Sequence, residues 1–426
     1  MRFFLGILGL RMETGFFRFA SDETFATKIY PVASQLVWMV CGLFLLAAYF
    51  GLDVINYGLH YPQLQNLIFL AAGITVLDVL SALPFAKLRY DKRPLRYAWI
   101  KLSGLLLNII LVLYFLNEFG GTAVENLYWV LLANLIGSAL TLILLLPEIK
   151  NAFTIADWKI CNRLLKYVSP LIIVTLSFIV IQYGATSILK YFLPGDALQN
   201  LEASSSFNAA MRLAVIMNLF VTAFNYAAEP FFFRHAKQDQ APQLFARLSL
   251  YFIIACCFIY LVMGLFIDVF AKLLDKNFRD ELFLVNILLL ANIFMGLYSN
   301  FSSWYKLSDN NRLMAIVSVF GMLLMLVLNV LLIPYLGNSS AAYANLTAYL
   351  FICALAYYQG QKKYPIPYPI LKMTMWLLAT VLTVVFIPGI YTFFKIESLV
   401  QYSLSFLILI AFGYAGYKLE CKKKLV

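Results

Sequence analysis

Twelve runs of roughly 20 or more apolar residues, separated by short polar stretches, leave this chain one kind of environment to fold in. They fall near 29–50, 64–86, 97–116, 126–147, 164–192, 205–229, 244–268, 283–305, 313–335, 340–359, 370–392 and 399–418. A helix of that length crosses the ~30 Å hydrocarbon core of a bilayer and bonds all of its own backbone N–H and C=O groups on the way. The chain is 63% hydrophobic and 12% charged, with mean hydropathy +0.83. A soluble domain is ~45–50% apolar and ~25% charged, and no segment here has the polar surface such a domain needs. The expected fold is an all-α integral membrane protein with about 12 transmembrane helices. Pro84, Pro147, Pro170, Pro230 and Pro334 fall near the ends of runs, where a lost helix hydrogen bond costs least. Connecting stretches of at most about 16 residues leave no room for an extramembrane catalytic domain.

The net charge is +11, but the basic residues sit in short clusters between the runs. That is the pattern of cytoplasmic loops, and it argues against a nucleic-acid partner. With the segment before the first run cytoplasmic, roughly 26 basic residues lie inside and about 5 outside, and Arg212 remains within a span. Lys87, Arg89, Lys92, Arg93 and Arg96 share one inner loop, and Lys422, Lys423 and Lys424 close the tail. The outer set is Lys190, Lys272, Lys276, Arg279 and Lys395. Both ends are therefore expected in the cytoplasm, with the chain spanning the inner membrane many times. Cys41, Cys256, Cys257 and Cys353 lie inside apolar runs and Cys161 and Cys421 in basic stretches, so none is placed for an extracellular disulfide. His60 and His235 are far apart, and neither a metal site nor a cofactor is expected.

The chain repeats itself. Glu13, Phe16, Phe17, Arg18 and Ala20 recur as Glu229, Phe232, Phe233, Arg234 and Ala236, an offset of 216 residues. Lys87-Leu88 before a run carrying Asn108 recurs as Lys306-Leu307 before a run carrying Asn329, at an offset of 219 to 221. Two echoes at nearly one offset predict a duplicated helical unit. On that spacing the counterparts of the two runs that open the second copy fall before Met1. The expectation is a chain short of about 50–60 residues and two helices relative to a 14-helix parent.

Several stretches together resemble the Wzx-type polysaccharide-biosynthesis flippases of the multidrug/oligosaccharidyl-lipid/polysaccharide exporter superfamily. They are METGFFRF (Met12 to Phe19), RLAVIM (Arg212 to Met217), FNYAAEPFFF (Phe224 to Phe233), GLYSNFSSWYKLSDNN (Gly296 to Asn311), LNVLLIPYLGNSSAA (Leu328 to Ala342) and KKYPIPY (Lys362 to Tyr368). The resemblance implies two pseudo-repeated lobes around a central cavity, plus two appended C-terminal helices. Residues 1–155 would form a truncated N-terminal lobe of four spans, 156–360 a C-terminal lobe of six, and 361–426 the appended pair with a basic tail. It also implies flipping of undecaprenyl-diphosphate-linked oligosaccharide for polysaccharide or O-antigen assembly. Its partners would be that lipid-linked substrate, membrane lipids and other polysaccharide-assembly membrane proteins. Where relatives are expected to carry an acidic–basic pair this chain has Ala185-Thr186, which leaves substrate class and ion coupling open.

Charge inside a span costs ~2.5–3.5 kcal/mol at the helix centre and so tends to mark a pathway. Arg212 shares a helical face with Asn208 and Ser205, while Asn218, Thr222, Asn225 and Glu229 follow on a second stripe. A guanidinium in a wet cavity suits diphosphate oxygens; snorkelling to the interface or pairing with a carboxylate fits the pattern too. Asp78, flanked by Thr75 and Ser81, suits a cation or sugar hydroxyls, and equally a structural hydrogen bond. Gln182, Thr186 and Lys190 make a further candidate cavity face. Asn292, Gly296, Ser299 and Ser303 read as helix-packing glue. The five-residue spacing of Glu13 to Arg18 and Glu229 to Arg234 puts each pair about 140° apart on a helix, too far to bridge internally. These four suit a cytoplasmic gate, or plain anchoring at the inner interface.

Two other functions compete with flipping. A drug/cation antiporter of the same superfamily would share the fold and need an acidic cation site. A polytopic polysaccharide polymerase or ligase would need a long basic periplasmic loop and a nucleophile–His arrangement, and the sequence has neither, so an enzyme is not expected.

Overall fold

The computed structural model describes residues 2–51, 65–150, 157–193, 200, 205–272, 279 and 281–421. Twelve of its helices are long and apolar enough to cross a membrane. We number them α1 (Ile29–Phe50), α2 (Gln65–Tyr90), α3 (Pro94–Phe119), α4 (Ala123–Leu144), α5 (Trp158–Phe192), α6 (Ser205–His235), α7 (Ala241–Leu265), α8 (Phe283–Phe301), α9 (Asn311–Leu336), α10 (Ser339–Lys363), α11 (Ile370–Phe393) and α12 (Ser398–Gly416). Short helices Arg2–Leu8 and Met12–Ala20 precede them. Each apolar run became one helix. The prolines did not end them: Pro84, Pro170, Pro230 and Pro334 lie inside α2, α5, α6 and α9, which run on past the apolar residues. A proline forfeits one internal bond, and extending the helix recovers several in a medium that offers no others.

The chain divides into two compact units, Met1–Leu176 with Glu229–Arg234, and Ser177–Ala228 with His235–Val426. In the first, α2 packs against α1 and α4, and α4 against α3. The α3–α4 crossing is set by glycines. A Cβ on Gly104 would strike the Thr141 hydroxyl and the Gly137 carbonyl, and one on Gly137 would press the Gly104 carbonyl and Asn108. Small residues let backbones approach closely where apolar burial gives no net drive. Thr122 caps α4 in a two-way box: its N–H donates to Glu125 Oε2 at 2.8 Å and its hydroxyl accepts from the Glu125 N–H. The boundary between the units falls within α5, whose first turns belong with the helix Met12–Ala20. Gly15 lies flush against Leu164 and Val168, Phe19 meets Tyr167 edge-on, and Arg163 lies over Phe25.

In the second unit α10 is central, packed between α8 and α9. Gly296 of α8 abuts Phe252 and Val221, and Asn292 donates to the Ala214 carbonyl at 3.2 Å, so that small-and-polar stripe is helix contact. α9 and α10 form a tight antiparallel pair that turns at Gly337, whose φ of 52° and ψ of −129° suit only glycine. The WYKLSDNN and KKYPIPY stretches close the far end of this unit. Trp304 Nε1 donates to the Ala356 carbonyl, Tyr305 Oη to Gln359, and the Phe301 ring meets Tyr368 at a tilt. α11 and α12 lie outermost on α7, where Gly264 meets Val384 and Phe258 meets Phe412.

Candidate functional site

Within the first unit, α2 carries Asp78 midway along its length, exposed, accepting a 2.8 Å hydrogen bond from the Ser138 hydroxyl of α4. Thr75 and Ser81 do not join it. Each is buried and turns its hydroxyl back onto its own helix, to the carbonyls of Ala71 and Leu77. The carboxylate therefore has one donor fixed and open space beside it. That arrangement can take a proton, a cation or a hydroxyl-bearing molecule.

A second polar cluster gathers at the end of α2. Glu13 forms an ion pair with Arg89, which also lies over the Phe17 ring. The Thr14 hydroxyl donates to Glu229 Oε1 at 2.8 Å. Tyr90 then ties two further elements to α2. Its hydroxyl donates to the Ala20 carbonyl at 2.7 Å, its ring meets Phe16 edge-on, and its own carbonyl accepts from Arg234. Both copies of the repeated Glu-Phe-Phe-Arg stretch thus converge on one place, without a direct bond between Glu13 and Arg18 or between Glu229 and Arg234 being needed. Arg18, on the same short helix, has contacts of its own.

In the second unit, α6 holds Arg212 two turns in, exposed. Asn208, one turn before it, accepts from the Thr186 hydroxyl of α5 at 3.0 Å, so these two candidate residues form a link between neighbouring helices. Asn218 accepts from Thr222 at 3.3 Å within α6, with Thr222 exposed and Asn225 half-buried further along. Gln182 is half-buried on α5. The side chain of Lys190 and the tail lysines Lys422 to Lys424 lie outside the described residues.

Sequence reasoning missed Ser138, Thr14, Arg89 and Tyr90. Ser138 had a legible signal, since Asn134, Ser138 and Thr141 repeat at helical spacing on α4. Arg89 had none, being one of five basic residues in a single loop. Among the described residues no group of three His, Cys, Asp or Glu could hold a metal ion.

The chain matches no protein-family model and no curated protein. It is similar in fold to solved transporters. The MATE transporter VcmN of Vibrio cholerae shares 15% identity at a TM-score of 0.70, over 86% of this chain and 87% of that one. The MATE multidrug transporter DinF-BH, solved in complex with R6G, shares 13% at 0.68, over 86% of each. An outward-facing multidrug resistance MATE family transporter of the MOP superfamily shares 16% at 0.63, over 85% and 84%. At these identities the likeness establishes the fold.

Proposed function

We propose that this chain is a membrane transporter that uses the MATE fold to carry an organic substrate across the bilayer. The observation that carries this reading is the likeness to MATE transporters over most of both chains. The absence of long loops supports it further, because the chemistry has to reside in the spans.

Two substrate classes have separate support. Cation-coupled export of drug-like molecules is favoured by the fold, since the solved relatives are named as multidrug transporters. Asp78 supplies the acidic group that reading needs: a carboxylate at mid-span, with Ser138 fixing one oxygen. Binding a cation or proton there would neutralise it, and a substrate competing for the same group would be coupled to the ion. Flipping of lipid-linked oligosaccharide is favoured by the ordered motifs and by Arg212, whose exposed fork suits a diphosphate. Of the two, the fold gives the stronger support to the cation-coupled exporter.

Purified protein in proteoliposomes separates them. A cation-coupled exporter moves a fluorescent organic cation in exchange for protons or sodium flowing down an imposed gradient, and Asp78→Asn uncouples it. A flippase equilibrates a labelled polyprenyl-diphosphate oligosaccharide between leaflets, and Arg212→Ala slows it. Protein that folds yet moves neither probe overturns the transporter reading.

A further inference from the structure

Lys101 of α3 stands beside Asp78, and contacts within the first unit fix its place. The α3–α4 crossing seats Gly104 against Gly137, and the next residue of α4, Ser138, bonds Asp78. Gly104 therefore marks the depth of the carboxylate on α3. Lys101 precedes it by three residues, about 4.5 Å along the helix. Tyr97, Lys101 and Gly104 follow one another at spacings of four and three, on one face of α3. The opposite face carries Leu95, Trp99, Leu102 and Leu106, all exposed, as side chains turned to lipid are. Lys101 thus rises from the side of α3 that meets the other helices.

Its ammonium rests on α2. Nζ lies 4.9 Å from the centroid of the Phe85 ring, which Tyr97 meets edge-on at 5.0 Å. Phe85 and Asp78 are two turns apart and share a face of α2, and the residue between them on that face is Ala82, a single methyl. Across that gap the Lys101 charge acts on the Asp78 carboxylate. From α4 the group facing Asp78 is the Ser138 hydroxyl. At that depth α1 offers only the neutral Cys41 thiol. Other charged groups around α2 gather at its end, where Glu13 pairs with Arg89, Glu148 with Arg96, and Lys87 lies over Tyr30.

We propose that Lys101 is the counter-charge of Asp78, a positioning residue that sets how firmly the carboxylate holds a cation. The inference rests on the reading of Asp78 as the coupling site of an exporter. An opposite charge nearby, in apolar surroundings, stabilises a carboxylate against whatever would neutralise it. A proton or metal ion arriving at Asp78 therefore meets a charge that Lys101 already answers, and it is held less tightly and released sooner. A carrier needs that release on the far side. The Phe85 ring gives the ammonium a seat of its own, so an arriving cation need not expel it.

Carbodiimide labelling of the purified full-length protein in vesicles tests this, because a neutral, apolar carbodiimide reacts with a carboxyl group that carries a proton. At neutral pH, Lys101→Met should raise the labelling of Asp78 several-fold, read by mass spectrometry. Lys101→Arg, bulkier but still charged, should label as the wild type does. Should methionine there misfold, Lys101→Gln removes the charge with a polar chain and should give the same rise. In the exchange assay Lys101→Met should lower both the KM for the driving cation and kcat several-fold, because the cation binds more tightly and leaves more slowly. Unchanged labelling of Asp78 in a folded, uncharged variant overturns the proposal. So does an equal rise in Lys101→Arg, which would reflect access alone. Raised labelling in Lys101→Met, with no organic cation moved by the wild type, would keep the counter-charge and overturn the exporter reading instead.

Discussion

A methyl group added at Gly15 would run into Leu164 and Val168, so the glycine of the METGFFRF stretch is there for contact. Gly15→Val should lower stability by about 1–3 kcal/mol through overpacking, read as a fall in thermal midpoint in detergent. Gly413→Val, where nothing lies within 4 Å, should leave the midpoint unchanged. Arg212 is the opposite kind of residue, exposed on α6 with little packing to lose. Arg212→Ala should therefore fold normally, and on the flippase reading lose charge-assisted bonds worth ~1.5–3 kcal/mol, a roughly 10- to 150-fold drop in affinity for a diphosphate-linked substrate. Lysine should restore part of it, keeping the charge without the fork; equal affinity in Arg212→Ala would leave snorkelling as the better account. Asp78 was visible in the sequence because a carboxylate in an apolar run stands out. Its partner was fainter: Ser138 repeats at helical spacing with Asn134 and Thr141, but nothing links it to a carboxylate 60 residues away, and serine is common in spans. Ser138→Ala should weaken whatever Asp78 binds while leaving the fold intact, and ion-gradient uptake in vesicles measures that.

At the level of helices the sequence was most informative where lipid is the arbiter. Apolar run length alone placed all twelve spans within a few residues, since a helix in hydrocarbon has no other way to satisfy its backbone. It was least informative where helices meet. Nothing in the runs of α3 and α4 distinguishes Gly104 and Gly137 from the chain's other glycines, yet these two set a crossing in which each faces the other's backbone. Gly137→Leu should force the pair apart and cost more than a lipid-facing change such as Leu113→Ala, Leu113 being exposed. Fluorescence-detected size-exclusion of tagged protein would show a lower monodisperse yield for the first and not the second. The unit boundary inside α5 was hidden for a similar reason. The helix is unbroken from Trp158 to Phe192, and only the contacts of Leu164, Tyr167 and Val168 with the helix Met12–Ala20 assign its first half to the first unit.

Over 85–86% of its length the molecule shares its fold with solved MATE transporters at 13–16% identity. Lipid-facing positions demand only apolarity, so they drift freely while span order and helix contacts persist. The same freedom means that orientation rests on charge alone. We propose that the ends Arg2–Lys28 and Lys418–Lys424 both lie in the cytoplasm, because basic residues near span ends resist translocation. The ends of α2 and α10 carry Lys87, Arg89, Lys362 and Lys363, which falls on the same side once twelve spans alternate. An even number of spans ties the two ends together, so one measurement fixes the whole arrangement. A fluorescent protein that matures only in the cytoplasm, fused after Val426, should glow, and alkaline phosphatase fused there should be inactive. The same pair of reporters placed after Gly121, in the loop between α3 and α4, should give the reverse pattern. Phosphatase activity at Val426 would invert every span at once, and would place the Glu13, Arg89 and Arg234 cluster on the outer surface instead of the inner one.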